Sequence, residues 1–223
     1  MEIDPGTQAA LEYVRDGQIL GLGTGRAAEA FVRGLGARVA DGLSVHGVPT
    51  SQRTAALASQ LGIPLLQLEQ APAIDTTFDG ADEFDPNLDL IKGYGGAMVR
   101  EKIVAASSSR LVILAGPEKR VPVLGSRGKL PVEVLAFGEA LCRSRLQQLG
   151  CEPERRRGKA GAPELSDNGN PILDCKIAAI ENPAELERAI LQIPGVIGSG
   201  LFLGLADVVI VGDDSDAEIL RRP

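Results

Sequence analysis

Short apolar runs alternate with helix-like segments from residue 4 to about residue 125, and that alternation admits few architectures. Residues 5–15 read as a first helix, with Pro5 at an early position where its missing N–H costs nothing. Residues 18–22 form a short buried strand, followed by Gly23-Thr24-Gly25 and an amphipathic helix over 26–39. A second strand covers 43–48, and Thr50-Ser51 caps a helix running to residue 61. Further strands are expected at 63–68 and 74–78, a helix at 97–107, and a strongly apolar strand at 110–115. Repeated strand–helix units imply a parallel sheet with helices on both faces.

The rhythm changes after Gly125. A strand at 131–135 and a helix at 138–149 precede strands at 152–157 and 172–177, which a polar stretch (158–171) separates. A helix at 183–192 and a short strand at 196–199 complete the order β-α-β-β-α-β, the pattern of a ferredoxin-like split βαβ unit. One more buried strand is expected at 207–212 and a closing helix at 216–222, with that strand returning to the first sheet. The expectation is an α/β protein: a Rossmann-like parallel-sheet domain (1–128 plus 203–223) carrying an inserted ferredoxin-like α+β domain (129–202).

Composition narrows the chemistry. The net charge of −7 and the lack of tryptophan argue against nucleic acid, which asks for a positive surface and stacking platforms. No apolar run reaches the ~18 residues that cross a bilayer, and Met1–Pro5 lacks signal-peptide character, so a cytoplasmic protein is expected. Cys142, Cys151 and Cys175 are odd in number and lack C-x-x-C spacing, which favours buried thiols. The single histidine, His46, excludes a multi-histidine metal centre and reads as a strand residue. Chemistry must then run on carboxylates, lysines and backbone amides, with no metal and no cofactor.

Three segments carry such groups. Gly21-Leu22-Gly23-Thr24-Gly25-Arg26 lies on a strand-to-helix turn, where glycines let backbone N–H groups approach an anion and the helix dipole favours negative charge. It lacks the G-K-[ST] of a Walker loop, and no acid ends the second strand to hold a ribose. A single phosphate or sugar phosphate fits it better than a dinucleotide; a turn with no ligand is the alternative. Asp79-Gly80-Ala81-Asp82-Glu83 falls at a strand end, where ligands of open α/β sheets sit. Its two aspartates suit proton transfer or a grip on sugar hydroxyls, unless the turn is simply solvated. Lys92-Gly93-Tyr94-Gly95-Gly96-Ala97 leads into Arg100-Glu101-Lys102, placing a lysine suited to an oxyanion before a loop and a glutamate in early helical turns. Taken singly, Glu101 reads as an ordinary dipole partner of the helix start. Arg155-Arg156-Arg157 reads as a solvated face.

The order G-L-G-T-G, G-V-P-T-S (47–51), D-G-A-D-E, L-I-K-G-x-G-G-A with R-E-K, L-P-V-E-V, D-N-G-N (167–170) and I-P-G-V-I…G-L-F (193–202) resembles ribose-5-phosphate isomerases of type A. The likeness runs from about residue 13 to 212. It implies a Rossmann-like domain with a ferredoxin-like insert, and the metal-free interconversion of D-ribose 5-phosphate and D-ribulose 5-phosphate through a cis-enediolate. It also implies homodimers or homotetramers. By position in the motifs, Glu101 is the general base, Asp79 acts on the sugar oxygens, Asp82 helps hold them, and Lys92 offsets enediolate charge. Thr24, Gly25, Arg26, Ala27, Gly80, Ala81, Gly93, Tyr94 and Gly95 fall in the substrate-binding segments.

Two departures from that pattern concern phosphate. Arg26 and Ala27 stand where the family commonly has two hydroxyl residues, and no lysine precedes Lys92. The basic residue expected before L-P-V-E-V falls in an altered stretch, Ser126-Arg127-Gly128-Lys129, with Arg127 the first candidate and Lys129 the second. The competing functions are an isomerase for a different sugar phosphate, a lactonase or deaminase on a related fold, and a sugar-phosphate sensor without catalysis. A sensor would have no need of both Glu101 and Lys92.

Overall fold

The computed structural model describes residues 3–158, 161–213 and 215–222; Met1-Glu2 of the N-terminal stretch and 159–160 of the polar stretch fall outside them. In chain order the elements are α1 (Pro5–Leu11), β1 (Ile19–Leu22), α2 (Arg26–Ala40), β2 (His46–Pro49), α3 (Gln52–Gln60), β3 (Thr76–Gly80), β4 (Glu83–Phe84), β5 (Leu90–Ile91) and α4 (Met98–Ala106). There follow β6 (Leu111–Ala115), β7 (Lys129–Val134), α5 (Glu139–Gln148), β8 (Glu152–Arg155), β9 (Ile172–Lys176), α6 (Pro183–Leu191), β10 (Val196–Ser199), β11 (Leu201–Phe202), β12 (Val208–Gly212) and β13 (Ala217–Arg221). These elements form two compact units, one of Met1–Ala81, Arg100–Arg120 and Gly204–Pro223, the other of Asp82–Val99 and Val121–Leu203.

The first unit is a sheet of order β13-β12-β6-β3-β1-β2, parallel from β12 to β2. Side-chain alternation along the strands divides its two faces. Leu20, Leu22 and Phe78 join Ala10, Leu11, Phe31 and Leu35 of α1 and α2 in one buried core, with Phe31 stacked on Phe78 at 4.0 Å. On the opposite face a Cβ at Gly21 would lie 1.8 Å from Thr77 Oγ1 and 2.8 Å from Val104 Cγ1, so α4 packs closely over β1 and β3. Helices thus cover both faces, as expected of a mostly parallel sheet.

Two expected elements differ. Residues 63–68 make one isolated parallel bridge, Gly47 to Leu65, and then a 3-10 turn at Leu68–Gln70. Pro64 has no N–H to extend a ladder, which leaves β2 as the sheet edge. The C-terminal segment is not a helix: β13 pairs antiparallel with β12 in register from Val208–Arg221 to Gly212–Ala217. The Asp213 carboxylate accepts hydrogen bonds from the N–H groups of Ser215 and Asp216, so turn chemistry redirects the chain into a hairpin.

In the second unit β10-β7-β9-β8 form an antiparallel sheet, the spatial order 4-1-3-2 of a ferredoxin-like β-α-β-β-α-β unit. Leu130, Val132, Leu173, Leu146 and Ile190 fill its core together with Cys142, Cys151 and Cys175, all three free and buried. A small sheet, β11-β5-β4, holds residues 82–99 to this unit through Leu201–Ile91 and Phe202–Leu90. Residues 82–99 and 121–128, expected with the Rossmann-like domain, therefore lie in the second unit. Among the described residues no helix is long and apolar enough to cross a membrane.

Candidate active site

In the first unit the glycine turn leaves β1 and enters α2. Gly25 caps α2 with φ 115°, a backbone conformation that favours glycine, and offers no side chain to the helix N-terminus. The first-turn N–H groups and the helix dipole give this end a positive character that favours an anion. Its shape is fixed from below by hydroxyls. Thr24 Oγ1 donates to Ser51 Oγ at 2.8 Å, Ser51 Oγ to Thr54 Oγ1 at 3.0 Å, and Thr54 Oγ1 to the Gly23 carbonyl at 2.8 Å. Thr24 Oγ1 also lies 2.8 Å from Thr50 Oγ1. The Thr24 hydroxyl is therefore committed to holding the loop.

Asp79, at the carboxyl end of β3, is only 1 % exposed. Its Oδ1 accepts the Thr24 N–H at 3.1 Å and the Gly80 N–H at 2.7 Å, so the glycine turn orients the carboxylate. A Cβ on Gly23 would lie 2.3 Å from that carboxylate, which only glycine permits. The start of α2 is equally close: a Cβ on Gly80 would sit 3.8 Å from the Ala27 methyl.

Glu101 lies in the first turn of α4 and is 3 % exposed. The end of that helix meets the start of β3, where Ser108 Oγ is 2.6 Å from Thr77 Oγ1 and Ile74 N–H donates to the Ser107 carbonyl. The helix therefore runs back over the strand. Val104 marks the level of Thr77. Two strand residues onward is Asp79, and one helical turn back is Glu101, steps of about 6.6 Å and 4.5 Å in the same direction. Glu101 and Asp79 thus occupy the same end of the same sheet face.

In the second unit Lys92 is 2 % exposed, its N–H donating to the Gly200 carbonyl at 2.9 Å and its Nζ 5.6 Å from the centre of the Phe202 ring. The loop after it turns through Gly93 (φ 110°) and Gly96 (φ 86°). Asp82 Oδ2 accepts the Tyr94 N–H at 2.9 Å. Burial, with the Asp82 and Glu83 charges nearby, pushes the Tyr94 phenol well above its ordinary range. Glu83, fully buried, accepts the Gly125 N–H at 2.7 Å and the Arg127 N–H at 3.0 Å, pinning that loop. Burial nevertheless raises the Glu83 carboxyl above its usual range.

The expected site residues thus fall in two groups. Thr24, Gly25, Arg26, Ala27, Asp79, Gly80, Ala81 and Glu101 belong to the first unit; Asp82, Lys92, Gly93, Tyr94, Gly95, Arg127 and Lys129 belong to the second. Arg26 is exposed and lines a groove of about 410 Å³ with Asp4, Thr7, Glu29 and Arg33. Arg127 is exposed. Lys129 is engaged: its Nζ is 3.0 Å from Asp174 Oδ2 and 4.5 Å from the Tyr94 ring centre. Two features escaped the sequence reading. The Thr50–Ser51–Thr54 cluster was legible as a helix cap and not as a loop support. Arg156, read as part of a solvated face, is buried.

A parallel α/β sheet with a glycine turn opening a helix, buried carboxylates at its carboxyl end and a ferredoxin-like unit inserted in the chain defines a two-unit α/β protein with an enzyme-like set of groups. The family model for ribose 5-phosphate isomerase A (phosphoriboisomerase A) matches residues 46–216. The ribose-5-phosphate isomerase A of Roseiflexus castenholzii is 54 % identical over 95 % of this chain and 92 % of its own. Among solved structures, the ribose 5-phosphate isomerase A of Methanocaldococcus jannaschii matches with TM-score 0.92 and 38 % identity, covering 97 % of this chain and 96 % of that one. A D-ribose-5-phosphate isomerase in complex with phospho-erythronic acid matches with TM-score 0.94 and 37 % identity over the same shares. This chain belongs to the ribose 5-phosphate isomerase A family.

Proposed function

We propose that this chain interconverts D-ribose 5-phosphate and D-ribulose 5-phosphate with Glu101, Asp79, Asp82 and Lys92 as its chemical groups. The observation that carries the reading is the buried Asp79 carboxylate, oriented by two backbone N–H groups at the same sheet end as Glu101. Aldose–ketose exchange moves one proton between C1 and C2 and another between the two oxygens, so it needs a base, an oxygen-directed acid and a partner for oxyanion charge. Glu101 takes the C2 proton of the aldose and returns it to C1 of the enediolate. Asp79 serves the oxygens, Asp82 helps hold them, and the Lys92 ammonium offsets the enediolate charge. No step asks for a metal or a cofactor. The phosphate rests on the N-terminal amides of α2, with Arg26 in place of the hydroxyls the family commonly carries there.

The curated relatives named ribose-5-phosphate isomerase A support an isomerase over the sugar-phosphate lactonase, deaminase and sensor readings, and the phospho-erythronic acid bound to a structural relative supports a phosphorylated sugar as the substrate. Three free, buried thiols suit a reducing compartment and support a cytoplasmic location. A homodimer or homotetramer is supported by large apolar side chains exposed on the second unit, Phe137 above all at 98 %.

Proton NMR of ribose 5-phosphate in D₂O with wild-type protein and Glu101→Gln tests the reading. Ketose should form with solvent deuterium entering at C1 or C2, and Glu101→Gln should lower kcat by about 10²–10⁴-fold while binding changes little. A variant that keeps more than about a tenth of wild-type turnover would remove Glu101 as the base. Saturable binding without turnover by the wild type would favour the sensor.

A further inference from the structure

Arg156 follows directly on β8 and is 6 % exposed. Its guanidinium grips Asp174 of β9 in a fork, Nε to Oδ2 at 2.9 Å and Nη2 to Oδ1 at 2.5 Å. Its third nitrogen, Nη1, donates to two successive main-chain carbonyls, Gly93 at 2.9 Å and Tyr94 at 3.1 Å. These carbonyls belong to the loop that follows Lys92, a segment without regular structure between two glycines of positive φ. A trans peptide points its C=O and N–H in opposite directions. Holding the Gly93 and Tyr94 carbonyls therefore turns the N–H groups of Tyr94 and Gly95 away from the guanidinium. The first of them meets Asp82 Oδ2 at 2.9 Å. One peptide plane is thus strung between Arg156 and Asp82.

We propose that Arg156, anchored by Asp174, is a positioning residue that sets the Lys92–Gly96 loop in its working shape. The proposal rests on the reading that Asp82 and Lys92 act on the substrate. Asp174 is itself held from a second side by Lys129, so the clamp is a fixed charged unit rather than a mobile surface pair. The loop has other braces, the Asp167 N–H donating to the Gly96 carbonyl at 3.3 Å and the Tyr94 hydroxyl to the Lys129 carbonyl at 3.3 Å, and neither bond touches the peptide on Asp82. Only a planar fork reaches a carboxylate with two nitrogens and the loop carbonyls with a third; a lysine ammonium is a point charge and cannot do both.

The test compares Arg156→Lys, Asp82→Asn and the double variant by steady-state kinetics on ribose 5-phosphate, with melting temperature measured alongside. Arg156→Lys should lower kcat by about tenfold or more with KM within about threefold, the mark of an interaction felt in the transition state. In the Asp82→Asn background the same change should cost less than about threefold, because the two residues hold one peptide. Asp174→Asn, which keeps the arginine and loses its anchor, should show the same kcat-weighted loss and stands in if Arg156→Lys does not fold. A kcat for Arg156→Lys within twofold of wild type, or a loss fully additive with Asp82→Asn, overturns the proposal and leaves the site reading standing. Asp82→Asn turning over at the wild-type rate overturns the site reading on which it rests.

Discussion

Arg26 is the first residue after the Gly25 cap of α2, whose N-terminus has no side-chain cap hydrogen bond, so it follows directly on amides disposed toward an anion. A charge-assisted contact to phosphate at that position is worth about 1.5–3 kcal/mol, or roughly 10- to 150-fold in kcat/KM. Arg26→Ala should accordingly raise KM and leave kcat nearly unchanged in a Michaelis–Menten comparison on ribose 5-phosphate. A change below about twofold in kcat/KM would assign the phosphate to backbone amides and to Arg127 or Lys129. Asp79, Lys92 and Glu101 were legible as candidates because their chemistry is local: each sits beside glycines or at a helix start. Arg156 was not, because its role depends on Gly93, Tyr94 and Asp174, between 18 and 63 residues away in the chain. A run of three arginines carries no sign of which one turns inward.

At the scale of elements, the turn from β1 into α2 ties the N-terminus of α2 to the orientation of Asp79. Gly23 is the hinge of that coupling, since any Cβ there would stand 2.3 Å from the Asp79 carboxylate. That Cβ would also stand 2.6 Å from the Asp79 Cα, so Gly23→Ala should lower the melting temperature by displacing β3 and, by moving the carboxylate about 1 Å, lower kcat by roughly 10²-fold. Stopped assays on the purified variant, with a thermal melt to confirm folding, check this; a kcat within threefold of wild type would show that Asp79 tolerates displacement. The glycine spacing and the Ser51 cap made this turn readable, because backbone freedom and capping are short-range demands. The segment at 63–68 and the C-terminus were misread for the opposite reason. Whether an apolar run joins a ladder depends on which sheet edge is open, and β13 forms because β12 presents an unpaired edge to a tight turn.

Taken whole, the chain builds its parallel sheet in two visits, with β12 returning beside β6 after the second unit is complete. That return was legible in the late apolar run at 207–212, whereas the membership of residues 82–99 was not, because it is decided by the pairing of β5 with β11 more than a hundred residues later. Among the described residues, the second unit also carries the most exposed large apolar side chain, Phe137, with others around it. Leu135 and Phe137 precede α5, Leu141 lies on it, Leu191 ends α6 and Ile197 lies on the edge strand β10. Leu135 N–H donates to the Gly195 carbonyl, and the Cα atoms of Gly138 and Gly195 flank one another, so these residues gather about one end of the sheet. Burying a phenylalanine contributes about 1.5–3 kcal/mol, and a two-fold contact would count it twice. A second copy of this chain is the occupant the apolar character fits, since a self-complementary face needs no charge partner. Light scattering coupled to size exclusion at about 10 μM, where a Kd of roughly 1 μM or tighter leaves most chains paired, should return a dimer or larger species for the wild type. Phe137→Asp places a charge in the contact and should shift the mass toward the monomer while the far-ultraviolet circular dichroism is unchanged. A wild-type mass of one chain, or an unchanged assembly in Phe137→Asp, would count against this face as the contact.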